Sequence, residues 1–277
     1  MTKSKSELVE IFKDTCDVIS NEGYLDSDGR WHELTLPTTR YYKRTLSVKN
    51  KNYTPSGGPT KIWVENTDTL LAAKKLGPDG AVLNMASFYC PGGGVERGSK
   101  AQEEELCRRS SLVRSLYSCD QKRLGVFGDK LVRQAYPISE FGGVYSRNVT
   151  VFRAATSYSY LSDPFTCSII TVPAIKRPDL NSNGEMMEKD LTTLKGKIRT
   201  ILRIALLEGH RKLVLGAFGC GAYGNNPLQT AESFRDVLGE SEFENMFSQI
   251  CFAVLEDKNS KRNVMGGNIK PFKQVFP

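Results

Sequence analysis

The sequence predicts an α/β fold, with helices packed about a largely parallel or mixed sheet. Two observations carry this. From Lys61 onward, short apolar runs of strand length alternate with segments of helical periodicity. No internal repeat or low-complexity linker divides the chain, and 39% hydrophobic with 25% charged residues suffices for one substantial core. The expectation is one domain, with residues 1–60 an extension packed on a core of residues 61–277.

Taken in order, residues 5–22 place Leu8, Ile11, Phe12, Cys16 and Ile19 at helical spacing, with Gly23 as a stop. Residues 24–60 are polar and rich in turn formers, with a β-prone piece at 31–36. Residues 67–76 read as a helix closed by Gly77 and Pro78, and 81–86 (AVLNMA) as a short buried strand. Ser99 with Gln102 has the spacing of a capping box, predicting a helix from there to about Tyr117. Strands are expected at 143–152, 167–173, 212–218 and 250–256, and helices at 185–207 and 228–238.

The net charge of +7 favours polyanionic partners such as phosphorylated metabolites, nucleic acid or a phosphodiester-like polymer. No apolar run approaches the roughly eighteen residues that span a bilayer, and the first ten residues lack the apolar stretch of a secretory signal. Seven scattered cysteines, without a CxxC pair, read as reduced thiols of an intracellular, cytoplasmic protein with no membrane partner. His32 and His210 sit in no metal or triad spacing, and no nucleophile elbow, HExxH or Walker lysine occurs.

The chemistry concentrates in two segments. In the first, Gly92, Gly93 and Gly94 form a turn that a ligand can approach without meeting a Cβ. After a seven-residue gap come Gln102 and three adjacent carboxylates, Glu103, Glu104 and Glu105. Three such charges repel one another, so a purely structural reason for the run is weak. Expected i,i+4 pairs, Glu104 with Arg108 and Glu105 with Arg109, give a structural share, for which Glu105 is best suited. Asn84 lies in the strand just before the turn, near the strand end where open α/β sheets bind ligands; bonding to a neighbouring turn is the plainer alternative. In the second segment, a strand runs into Gly216–Gly224, four glycines in nine residues, and a helix follows Pro227. Strand, glycine loop and helix N-terminus is a phosphate-binding arrangement. Its G-x-G-x-x-G match lies too late in the chain for a dinucleotide fold, and Cys220 within it reads as a small apolar residue lacking a nearby base.

Together, AVLNMASFYCPGGGVERGSKAQEEELCRRSSL and LVLGAFGCGAYGNNP resemble the signature of poly(ADP-ribose) glycohydrolases, in their microbial-type branch. GVYSRNVTVFR and the following SIITVPA are similar as well. The resemblance implies a macro-domain-like three-layer α/β/α sandwich with a mixed sheet and an N-terminal helical extension. It implies cleavage of the ribose–ribose glycosidic bond of poly(ADP-ribose), releasing ADP-ribose, with no cofactor and no metal. By position Glu104 becomes the catalytic acid, while Glu103 and Asn84 hold ribose hydroxyls beside it. Gln102, Gly92, Gly93 and Gly94 line the substrate with Gly219, Cys220, Gly221, Ala222 and Tyr223, the glycines against the diphosphate. Tyr223 stands where the family has a phenylalanine pressing on the distal ribose. The acid must hold a proton: Glu103, Glu105 and a bound diphosphate favour this, and the positive helix end opposes it. Alternative substrates are mono-ADP-ribose on protein or nucleic acid, and a non-catalytic ADP-ribose reader is the rival class.

Overall fold

A computed structural model describes residues 3–44, 48, 55, 57–256 and 266–277. Its centre is a mixed sheet made from the apolar runs. The strands are β3 (Thr38–Tyr42), β4 (Lys61–Glu65), β5 (Gly80–Ala86), β6 (Gly143–Arg153), β7 (Tyr160–Pro173), β8 (Lys212–Leu215) and β9 (Gln249–Ala253), after a separate small hairpin of β1 (Gly23–Leu25) and β2 (Trp31–Glu33). The seven strands lie in the order β3-β6-β7-β5-β8-β9-β4. β6 pairs antiparallel with both β3 and β7, whereas β7, β5, β8, β9 and β4 run parallel. Parallel strands are buried on both faces, which is why β5 reads as apolar without alternation. Its successive side chains still part between the layers: Val82 joins one core, Ala81 and Leu83 the other.

The first core is covered by α1 (Lys5–Ser20), α2 (Thr69–Leu76), α3 (Gln102–Arg109) and α4 (Leu112–Tyr117). The second lies under α5 (Glu188–Leu207), α6 (Pro227–Leu238) and α7 (Ile269–Val275). The result is a three-layer α/β/α sandwich. No helix among the described residues is long and apolar enough to cross a membrane.

Several boundaries move for identifiable reasons. α1 ends at Ser20 under Asn21, and Gly23 instead opens β1, where a Cβ would strike Trp31. The expected helix to Tyr117 is two helices. Ser110 between them is extended, bridges to Val151 and turns its hydroxyl onto Leu106 O at 2.7 Å. The Ser99–Gln102 capping box does not form; α3 starts at Gln102 behind Ala101, which makes no side-chain cap. Residues 185–187 belong to a turn ahead of α5, β8 ends at Leu215 and β9 spans 249–253. Nor does residue 60 divide the sheet. β3, from the stretch read as an extension, pairs with β6 from Thr38↔Arg147 to Tyr42↔Gly143. Residues 45–47, 49–54 and 56 of that stretch lie outside the described residues.

Candidate active site

The site is assembled where β5 ends and α3 begins. Gln102 joins the two: its Nε2 donates to Leu83 O at 2.7 Å, and its Oε1 accepts from Met85 N at 2.9 Å. Both ends of the carboxamide are thereby engaged with β5 backbone, which fixes the first turn of α3 against the strand end. Gln102 therefore works as a clip between elements.

The clip aims the next two side chains inward. Glu103 is 3% exposed; its Oε2 accepts from Ser87 N at 2.7 Å and its Oε1 from Asn84 Nδ2 at 3.4 Å. Burial pushes its carboxyl up to about 8, and the Glu104 charge adds to this, against the opposing amides of Ser87 and Gly92 and the Asn84 carboxamide. Asn84 is fully buried, and Nδ2 also donates to Thr171 Oγ1 at 3.2 Å. Its Oδ1 has no partner among the described residues. Glu104 is similarly buried: Oε1 accepts from Gly94 N at 2.8 Å, and Oε2 has no partner among the described residues.

The glycine turn has to be glycine where the carboxylates meet it. Gly93 has φ of 61°, and a Cβ there would lie 2.5 Å from Glu104 Oε1 and 3.0 Å from Glu103 Oε2. The glycine amides are turned inward: Gly93 N donates to Cys90 O, Gly94 N to Glu104, and the Gly92 amide acts on the Glu103 carboxyl. In the free protein this turn mainly holds the acids.

The second loop has unused donors. The amides of Gly219, Gly221, Ala222 and Tyr223 have no acceptor in the protein among the described residues. Consecutive free amides of this kind form an anion-binding concavity. Asn225 shapes it, Nδ2 donating to Ile175 O at 2.7 Å and to Gly219 O at 3.1 Å. Gly219, with φ of 78°, is in contact range of that amide, where a Cβ would lie 2.6 Å away. Around Gly221, by contrast, the space beside the backbone is open. Tyr223 bridges the two segments: it is half-buried, its OH donates to Ala86 O at 3.4 Å, and burial, with the nearby Glu103 and Glu104 carboxylates, pushes its hydroxyl's pKa above the ordinary value. Cys220 turns its thiol into the core toward Phe218 O, and burial pushes it up to about 12, which removes it as a nucleophile.

Thus Asn84, Glu103, Glu104 and the Gly92–Gly94 turn converge, with Tyr223 at their edge. The Gln102 carboxamide is instead engaged with β5 backbone, and the Cys220 thiol lies in the core. Glu105 takes the structural role expected of it, accepting from the Tyr158 hydroxyl at 2.8 Å and from Arg108 at 2.9 Å. The two i,i+4 pairs do not form: Arg108 pairs with Glu105 instead of Glu104, and Arg109 reaches to Asp68, the N-cap of α2, at 2.8 Å. Three contributors went unread in the sequence: the Ser87 amide, Asn225 and Thr171. Asn225 stands beside the glycines and was legible as a loop clamp. Thr171 faces Asn84 only through the parallel register of β5 and β7, which no local pattern announces.

A mixed α/β/α sandwich bearing buried carboxylates beside an anion cradle defines a hydrolase-type site for an anionic glycoside. The family model for the catalytic domain of microbial-type poly(ADP-ribose) glycohydrolases matches residues 13–154. Among solved structures, the poly(ADP-ribose) glycohydrolase from Thermomonospora curvata superposes with a TM-score of 0.80 at 30% identity, covering 98% of this chain and 100% of that one. The same enzyme bound to the inhibitor ADP-HPD gives 0.77 at 29% identity, covering 97% and 99%. The Deinococcus radiodurans glycohydrolase in complex with ADP-ribose gives 0.65 at 28% identity, covering 86% and 94%. No curated protein matches the sequence. The chain belongs to the microbial-type poly(ADP-ribose) glycohydrolase family and is a glycohydrolase.

Proposed function

We propose that this site cleaves the ribose–ribose bond of poly(ADP-ribose), with Glu104 as general acid and base. One observation carries the assignment: Glu104 is anchored through Oε1 by the Gly94 amide, while Oε2 is buried without a partner among the described residues. A fixed carboxyl with one unspent oxygen is suited to protonate a leaving oxygen. The glycosidic C–O bond breaks as the Glu104 proton passes to the departing ribose oxygen, leaving an oxocarbenium-like sugar. The resulting carboxylate takes a proton from water, whose oxygen bonds the anomeric carbon. ADP-ribose and a shortened polymer result, and Glu104 regains its proton.

The other residues hold the substrate. Glu103, protonated at neutral pH given a value of about 8, presents a hydroxyl to the distal ribose without adding charge. Asn84 offers it the unpartnered Oδ1. The free amides of Gly219 and Gly221–Tyr223 receive the diphosphate, whose approach is open at Gly221. The Gly92–Gly94 turn admits the sugar beside the acids, and the Tyr223 ring lies against it. The Deinococcus radiodurans relative's complex with ADP-ribose supports ADP-ribose as product. Free thiols throughout the described cysteines fit action in the cytoplasm.

The substrate class is tested by incubating the protein with polymer-bearing and with singly modified protein, and measuring released ADP-ribose. Release from the polymer, with the first protein-linked unit left behind, is the expected result. Release only from singly modified protein, or nucleic acid, would replace the substrate and keep the site. Binding of ADP-ribose with no release from any of them would make the protein a reader.

A further inference from the structure

Among the described residues Tyr89 is the most exposed large hydrophobic side chain, at 67%. It stands two residues from Ser87, whose amide holds Glu103, and five before Gly94, whose amide holds Glu104. With about 3.8 Å between successive Cα atoms, its Cα is within about 8 Å of that of Ser87. The ring is braced edge-on by Phe88, with centroids 4.8 Å apart and planes at 74°. The backbone on either side is pinned: Phe88 O accepts from Ile138 N at 3.0 Å, Ser87 Oγ from Cys90 N at 3.2 Å, and Cys90 O from Gly93 N at 2.9 Å. An exposed, oriented aromatic ring on a fixed turn is suited to stacking a nucleobase.

Chemistry decides which base. The acid must lie beside the leaving oxygen, so the 87–94 turn, whose Ser87 and Gly94 amides hold the two carboxylates, flanks the leaving group. That oxygen is a hydroxyl of an adenosine ribose, so an adenine is carried by the same sugar. The free amides assigned to the diphosphate of the other unit, the one attacked at its anomeric carbon and released as ADP-ribose, belong to the second loop, Gly219–Tyr223. We propose that Tyr89, braced by Phe88, stacks on the adenine of the ADP-ribose unit on the leaving side of the scissile bond and so selects polymer over a single unit. The inference rests on the reading of the site given above.

The test uses the full chain carrying Glu104→Gln, with and without Tyr89→Ala, titrated with ADP-ribose and with a defined ADP-ribose dimer. Tyr89→Ala should weaken the dimer about 5- to 100-fold while ADP-ribose binding stays within about twofold, and Tyr89→Phe should restore the dimer. In the otherwise wild-type protein, Tyr89→Ala should raise KM for polymer and leave kcat within about threefold. Equal weakening of both ligands, or no weakening of the dimer, overturns the proposal. Because the titrations need no turnover, a failure of the wild type to release ADP-ribose is a separate result that sinks the function itself.

Discussion

Glu103 sits among hydrogen bonds yet has too little water to carry a charge comfortably, and its behaviour with pH follows from that. Its carboxyl moves from the ordinary 4.5 to about 8 on folding, first through burial and then through Glu104. Between those values the unfolded chain has released the proton and the folded chain keeps it. This contribution to stability is therefore full below about pH 4.5, declines as pH rises to about 8, and is level beyond. Glu103→Gln removes the titration, so the melting temperature of the variant minus that of the wild type should grow from pH 5 to pH 8. A difference constant with pH would show that Glu103 is charged in the fold. At this scale the sequence was informative about Glu103, Glu104 and Asn84, because chain spacing alone brings them near a glycine turn. It said nothing of which acid burial would hold protonated, since that depends on how Ser87, Thr171 and the sheet close around them.

Between elements, the decisive contact is α3 against the end of β5. Gln102 looks like half of a capping box with Ser99, but two backbone groups of β5 compete for its carboxamide and win. A cap satisfies one donor at a frayed end; the clip satisfies a carbonyl and an amide at a buried junction, where leaving them unmet costs more. Gln102→Ala should cost about 1–3 kcal/mol in denaturant unfolding. It should also lower kcat for polymer, since Glu103 and Glu104 ride on the same turn. Unchanged stability would mean the clip is dispensable. The break at Ser110 was illegible for a related reason: the pairing partner, Val151, lies in a strand that local periodicity cannot associate with a helix. By contrast the strand–turn–helix run around Gly216–Pro227 was readable, because its glycines and Asn226, the N-cap of α6, act locally.

Over the whole molecule, helix–strand alternation predicted the layered sandwich, and the structure adds an edge that the alternation does not contain. β3 is short and polar enough to pass for loop, and its partner β6 follows a hundred residues later in the chain. α1 is also more than a cover: Thr15 Oγ1 donates to Arg108 O at 2.7 Å at the end of α3, and Gly98, after the glycine turn, closes onto Lys5. The net charge of +7 operates at this scale too. If two or three phosphates of the polymer are met by basic groups, KM should rise about seven- to twentyfold between 50 and 200 mM salt. A KM indifferent to salt would leave recognition to the cleft alone. The decisive measurement pairs polymer turnover with ADP-ribose calorimetry for wild type and Glu104→Gln. Turnover should fall about a hundredfold or more in the variant, with ADP-ribose affinity kept within about threefold. Turnover at the wild-type rate in Glu104→Gln would contradict the role of Glu104 and move the search for the acid to another residue.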